Sequence, residues 1–313
     1  MTYAGPATSI DLADEEIEVD GFLLPAVADR HVHVELSDPA LVLIGGVTAV
    51  RDLAWPADRI FPLADLSEMP SFDGPLIRAT GPMLTAPGGY PMHASWAPDG
   101  TGREVRGPED AVDAVRELAE AGATAVKVSL NADAGPTPSD AELMAISDAA
   151  HAHDLPVTVH AQGAGQVERA LGAGMDELAH TPWTRLTDDV VRMAAARLRI
   201  VSTLDICGFG ADTPELRLAL DNLRRFHGAG GDVIYGTDLG NGDIPPGIHL
   251  RELELLREVG LSHEQVLRAA TRAPLAPDAP ADLLALGMDP LEDLTAFADR
   301  RLVIRSGRPV GRH

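Results

Sequence analysis

The chain has 313 residues, 45% of them hydrophobic and 23% charged, which are the values of a water-soluble globular protein with ample sequence for one large core. Its formal net charge of −23 argues against nucleic acid and anionic membrane as partners. A single cysteine, Cys207, excludes an internal disulfide and suits a reducing, cytoplasmic setting; no apolar run is long enough to span a bilayer, and the opening Met1-Thr2-Tyr3-Ala4-Gly5-Pro6 lacks the basic-then-apolar order of a signal peptide.

Residues 8–12 and 17–24 read as two short strands, too little for a domain of their own. From Leu24 onward, apolar runs alternate with helical periodicity. The runs predict strands at 25–33, 47–53, 76–83, 123–129, 155–161, 175–180, 199–206 and 232–238. Helices are expected near 38–45, 57–68, 108–121, 139–152, 163–173, 187–197, 214–229 and 249–259, with one more from Ser262 through about 272. Ser139 with Glu142 forms a capping box, Thr213 precedes a proline at the first helical position, and Gly122, Gly174, Gly230 and Gly260 stand where helices end. Eight β-then-α units make an α/β chain of the (β/α)8 TIM-barrel class. A doubly wound sheet is the main alternative, but it would carry a glycine-rich phosphate loop after its first strand, and none stands there. The proline-rich stretch 274–281 reads as a linker, followed by a strand at 281–286, a turn or short helix near 289–294, and a strand over 301–310. The two ends are expected to pair as a small β appendage, 1–24 with 274–313, on a barrel of 25–273.

In such a barrel, active-site groups lie at the C-terminal ends of the strands. His31 and His33 end strand one; residues i and i+2 share a face, so both imidazoles can reach one metal ion. Lys127 lies near the end of strand four, and His160, His180 and Asp238 end strands five, six and eight. Each alone has an ordinary structural account, such as a strand-end histidine bonded to a loop carbonyl. Six groups of ligand type at one end of one layer point instead to a metal site. Lys127 is also the only lysine: every other cationic residue is arginine. Against that bias, a lone lysine marks a position where an amine is needed and a guanidinium will not serve.

The run Phe22-Leu-Leu-Pro-Ala-Val-Ala-Asp-Arg-His-Val-His33, followed by Gly45-Gly-Val-Thr-Ala-Val-Arg-Asp-Leu53, resembles the opening of amidohydrolase-superfamily enzymes. Val159-His160, Leu178-Ala179-His180 and Gly236-Thr237-Asp238 resemble that superfamily's remaining metal motifs. Residues 260–271 and 281–293 are similar to the tail of its imidazolonepropionase-like branch, which includes prolidase-like dipeptidases and several amidases. The resemblance runs from about residue 20 to 311. It departs in short N-terminal strands, and at Pro277-Asp278-Ala279-Pro280, where a Leu-x-x-Gly-x-x-Ala-Asp lead-in is usual.

The resemblance implies two divalent ions, zinc first, with Mn, Fe, Co or Ni served by similar donors. It implies that His31, His33 and Asp238 hold the more buried ion and His160 and His180 the more exposed one, bridged by a CO2-derived carbamate on Lys127. It further implies attack by a metal-bridged hydroxide on an amide or cyclic amide of a small molecule, with Asp238 as general base and then general acid. A heterocycle deaminase or a lactonase could use the same site. Deaminases of this superfamily usually place a glutamate soon after the strand-five histidine, however, and Ala161-Gln162-Gly163 stand here. A catalytically silent barrel that only binds is the reading from another class; the presence of all six ligands argues against it.

In the long loop after strand three, His93 and Tyr90 are expected to cross the site mouth and touch substrate, as is His249 at the start of helix eight. His151 and His153 end a helix and are rejected as ligands; His227, His263 and His313 read as surface residues, and Cys207 as a small loop residue. Arg51 and Asp52 read as a structural ion pair. The partner is a small-molecule substrate, and homo-oligomerisation is left open.

Overall fold

The computed structural model describes residues 5–12, 15–271 and 282–312; the stretch 274–281, read above as a linker, lies outside the described residues. Two antiparallel strands open the chain, β1 (Gly5–Leu12) and β2 (Glu15–Pro25). Then come β3 (Val27–Val32), α1 (Pro39–Ile44), β4 (Val47–Asp52), α2 (Ala57–Ser67), β5 (Leu76–Ala79), and a short pair, β6 (Met83–Thr85) and β7 (Gly102–Glu104). The alternation resumes with α3 (Pro108–Glu120), β8 (Val126–Asn131), α4 (Asp140–Ala152), β9 (Val157–Gln162), α5 (Gln166–Gly172), β10 (Glu177–Leu178), α6 (Asp188–Arg197), β11 (Arg199–Val201), α7 (Pro214–Gly228) and β12 (Asp232–Ile234). Two helices, α8 (Leu250–Glu258) and α9 (His263–Ala270), precede β13 (Leu283–Leu286), β14 (Arg300–Arg305) and β15 (Arg308–Arg312).

Strands β3, β4 and β5 pair in parallel, as do β8 through β12. The two runs join into one barrel. On one side Thr124 N–H donates to Ala79 O at 2.9 Å; on the other, Arg30 N–H donates to Tyr235 O at 3.1 Å and Asp238 N–H to His31 O at 2.8 Å. A closed parallel barrel with its helices outside is the TIM architecture. Antiparallel pairing of β2 with β13 brings the two ends of the chain into one five-stranded sheet beside the barrel.

The elements form where local chemistry favours them. In β8, Lys127, Ser129 and Asn131 share one face by strand alternation. Val126, Val128 and Leu130 take the other face and join an apolar cluster with Val115 and Leu118 of α3 and Leu143 and Ile146 of α4. Each such side chain contributes about 2 kcal/mol of burial. Ser139 and Glu142 close the expected capping box, as do Ser262 and Gln265. Gly122 and Gly260 end their helices at φ +93° and +106°, conformations costly for any residue with a Cβ. Among the described residues, no helix is long and apolar enough to cross a membrane.

Strands seven and eight, expected over 199–206 and 232–238, end at Val201 and Ile234, and two further expectations need correction. The third strand, expected over 76–83, stops at Ala79, because Thr80-Gly81-Pro82 turns the chain, with Gly81 at φ +69°. Beyond the turn the chain enters β6, which pairs with β7 and β8 and carries the long loop towards the barrel mouth. The last strand, expected over 301–310, is a hairpin of β14 and β15. It folds at Ser306 and Gly307, whose φ values of 50° and 73° suit a two-residue hairpin turn.

Candidate metal centre

At the C-terminal end of the barrel, a cavity of about 50 Å³ is lined by His31, His33, Lys127, His160, His180 and Asp238 together with a few apolar and amide side chains. The six expected ligand-type residues therefore converge. His31 Nε2 lies 3.0 Å and His33 Nε2 3.4 Å from Asp238 Oδ1. The ring centroids of His31 and His180 are 4.4 Å apart, and those of His160 and His180 4.7 Å. Asp238 sits just beyond β12 in the left-handed region at φ 61°, where its N–H reaches His31 O and its own carbonyl accepts from Asn241 N–H at 2.9 Å. Such a conformation costs on the order of 1 kcal/mol and persists only where neighbours fix it. Here it aims the carboxylate at the two histidines.

The protons around these groups decide whether a cation belongs there. His31 Nδ1 lies 2.8 Å from Ala179 O and His33 Nδ1 3.1 Å from Ala54 O. A carbonyl only accepts, so both Nδ1 atoms carry hydrogen and, in the neutral rings, both Nε2 atoms carry lone pairs. These two lone pairs converge on a carboxylate oxygen, three acceptors with no proton between them, within a group whose ligand atoms all lie within 4.8 Å of one another. A cation resolves that arrangement, and outer carbonyls that fix the imidazole tautomer are what metal-ligating histidines need. Lys127 gives a second sign: its Nζ is fully buried and has no hydrogen-bond partner. The donor set fits divalent ions.

Electrostatics agree. Burial pushes His31 down to about 4, helped by the Lys127 charge and opposed by Asp238. Burial likewise takes His160 to about 3 and His180 well below its ordinary value, so the imidazoles stay in the neutral, ligating form. Burial lowers the Lys127 ammonium to about 7. For Asp238, burial works upward, and only positive charge beside it, on His31 first when that ring is protonated, holds the carboxyl well below its usual range; with the rings neutral, that charge is what a cation between them would supply.

Supporting contacts fix these groups. His180 Nδ1 is 3.0 Å from Thr203 Oγ1, and Thr203 itself stands at φ 38°, a conformation rare for a β-branched residue. Asn131 Oδ1 accepts from Ala134 N–H, which turns its Nδ2 towards His160 Nε2 at 3.1 Å, a contact that an ion held by this nitrogen would displace. Asn241 Nδ2 donates to Asp238 Oδ2 at 2.9 Å. Asp29 accepts from the His31 and Thr237 N–H groups, both at 3.0 Å, and from the Thr237 hydroxyl, tying the ends of β3 and β12 together. None of these was singled out from sequence. Asp29 carried a faint signal, since it precedes His31 by two and so shares its strand face.

Other expectations fare differently. Tyr90 lines the cavity, its ring 5.2 Å from that of His160. His93 is exposed and does not line it; Trp96 of the same loop stands over His33 instead, at 4.4 Å between centroids. His249 is buried at the start of α8 but does not line the cavity, because its Nε2 turns to Asp205 Oδ2 at 2.8 Å. Arg51 does not pair with Asp52. Neighbours in a strand point to opposite faces, and Arg51 pairs with the buried Glu177, while Asp52 accepts from the Val34 N–H at 2.8 Å. Cys207 is half-buried, and burial pushes its thiol up to about 12, the state of an unreactive thiol; its neighbour Ile206 lines the cavity.

Comparison with known proteins extends these findings. The sequence profile of the amidohydrolase family matches residues 40–308. An uncharacterized protein of Mycobacterium tuberculosis is 28% identical, over 93% of this chain and 86% of its own. Among solved structures, a prolidase complexed with n-methylphosphonate-l-proline superposes with a TM-score of 0.74 at 23% identity, covering 93% of this chain and 87% of that one. A Xaa-Pro dipeptidase with bound methionine in the active site gives 0.74 at 19% identity over 99% of both chains. The ochratoxinase of A. niger gives 0.75 at 19% identity over 93% of this chain and 83% of that one. These structures share the fold, and with the family profile matched over most of its length, the chain belongs to the amidohydrolase family as a metal-dependent hydrolase of C–N bonds.

Proposed function

We propose that this chain is a binuclear hydrolase that cleaves the C–N bond of a small linear or cyclic amide. In this reading His31, His33 and Asp238 hold one divalent ion, zinc in the first instance, and His160 and His180 hold a second. Lys127, as a carbamate formed from CO2, would supply a further anionic oxygen donor to the same cavity. The observation that carries the reading is Lys127: the only lysine of the chain, fully buried, its Nζ without a partner in a cavity it shares with four histidines and Asp238. Carbamate formation joins the amine nitrogen to the carbon of CO2 and releases one proton, so it needs an uncharged amine. Burial lowers this ammonium to about 7, which supplies that form near neutral pH.

When bound, the ions supply Lewis-acid polarisation of a carbonyl and a lowered pKa for water. The chain's own contribution is proton handling and orientation. Asp238 stays ionised, so it accepts the proton of the attacking water and returns it to the departing nitrogen. The Asn241 amide donates to its other oxygen and holds the carboxylate for that exchange. The solved relatives described as a prolidase and a Xaa-Pro dipeptidase support cleavage at a C–N bond. We place the protein in the cytoplasm, acting on a small molecule without nucleic acid or membrane, on the strength of its charge and single cysteine.

Metal analysis together with a screen of amides, cyclic amides and lactones tests the proposal. Two ions per chain and turnover of an amide are expected. Lys127→Ala and Lys127→Arg should both lose the second ion and turnover, and short carboxylic acids should partly restore the Ala variant. Two ions and full activity in Lys127→Arg would sink the carbamate.

A further inference from the structure

Aromatic residues make up only 4% of the chain, with three tryptophans and three tyrosines. Yet Tyr90, Trp96 and Trp183 all pack on the imidazoles of the site. Trp96 lies 4.4 Å from His33 between ring centroids, Tyr90 5.2 Å from His160, and Trp183 6.2 Å from His180. All three are only part-buried, and the Trp96 indole N–H donates to Tyr90 Oη at 3.1 Å, which locks the two rings together. Of the three, Tyr90 and Trp183 line the cavity itself, together with Met83 and Ile206. Large, rigid, half-open aromatic faces beside the reacting groups are built to receive an apolar or aromatic group.

Charge points the same way. Among the described residues, the cavity's only lining cation is Lys127, at the reacting end; no arginine lines it, although arginine supplies every other positive charge in the chain. Arg51, beneath the site, is committed to Glu177 and to Arg30 O. A carboxylate-bearing substrate would leave its charge desolvated against tryptophan with no counter-ion. The net charge of −23 would also repel it on approach.

We infer that this site takes an uncharged substrate with an aryl group adjoining the scissile C–N bond, an aryl amide being the type, and not a dipeptide with a free carboxylate. The inference rests on the hydrolytic reading above. In the reaction, water gives its hydroxyl to the acyl carbon and a proton to the nitrogen, so an anilide yields a carboxylic acid and an aniline.

The test uses a matched pair, acetanilide and 4-acetamidobenzoate. With the full, metal-loaded protein, kcat/KM should favour the neutral member by about 100-fold, as expected when a buried charge lacks a partner. Ile206→Arg, which places a guanidinium in the wall, should cut that preference at least tenfold. A second readout needs no turnover: tryptophan quenching in the metal-loaded Asp238→Asn variant should give a Kd about tenfold lower for acetanilide. Trp183→Phe in that background should remove much of the quench. Equal or tighter binding of the carboxylate, or equal kcat/KM, overturns the inference and leaves the hydrolase standing. Hydrolysis of neither amide, nor of any other C–N substrate, refutes the hydrolase, while the ratio of the two Kd values still decides the inference.

Discussion

Replacing Glu252 with glutamine isolates one buried carboxyl that shapes the cavity wall. Glu252 is fully buried on α8, and its two oxygens accept the Leu204 and Asp205 N–H groups, each at 2.9 Å. Those residues lead directly into Ile206. Burial, the dominant influence, raises this carboxyl from 4.5 to about 7. Between those two pH values the folded chain holds a proton that the unfolded chain has released. Stability from this group is therefore greatest below pH 4.5 and declines as pH rises towards 7, by about 3 kcal/mol in all, since each pH unit is worth about 1.4 kcal/mol. Glutamine cannot ionise. It keeps one acceptor for the two N–H groups and sets its amide against the other, a cost of about 1–3 kcal/mol that does not vary with pH. The assay is urea unfolding of wild type and Glu252→Gln from pH 4.5 to 8, taking the difference at each pH so that titrations common to both cancel. The wild type should lose about 3 kcal/mol relative to the variant by pH 7 and nothing further above it. A difference that stays flat, or that moves in favour of the wild type, would refute the reasoning.

Further outcomes are expected from the same contacts. Asp238→Asn should keep the fold and lower kcat by a factor on the order of 10² to 10⁴ at matched metal content, the range for a removed general acid–base; turnover within a few-fold of wild type would move the proton to another group. Thr203→Val preserves shape but removes the hydroxyl bonded to His180, so chelator competition should show metal affinity reduced about 10–100-fold. Arg51→Met leaves Glu177 buried without its main partner and should cost about 3–5 kcal/mol in chemical denaturation. Adding Glu177→Leu should recover most of that, and failure to recover would show that the loss is one of packing.

The barrel was legible because its signal repeats. Strand runs alternated with helical patterns, several of them capped, and strict alternation in segments such as Val126–Asn131 told inward from outward faces. It failed where a turn was decided by one or two backbone angles, at Gly81 and at Ser306-Gly307, which a strand-like composition conceals. The ligand-type residues were legible for a different reason. A metal site admits few residue types and demands them at strand ends, so His31, His33, Lys127, His160, His180 and Asp238 stood out by identity and position together.

Their supports did not stand out, because the work of a support can be done by many groups. The outer nitrogen of a candidate ligand needs only an acceptor, and the protein supplies the Ala179 carbonyl to His31, the Ala54 carbonyl to His33 and the Thr203 hydroxyl to His180. Backbone carbonyls leave no mark in a sequence, and a threonine at φ 38° looks like any strand threonine. Long separation hides the rest. Asp205 and His249 meet across 44 residues, and that meeting, set by the packing of α8 against the loop after β11, turned a residue expected at the substrate into one that holds the wall. Trp96 and Trp183 lie in loops, where no periodicity assigns a face; only closure of the barrel brings both onto the same histidines. Chemistry that demands a residue type is thus readable before the fold, whereas substrate preference, written in loops and in the charges a wall lacks, becomes readable only after it.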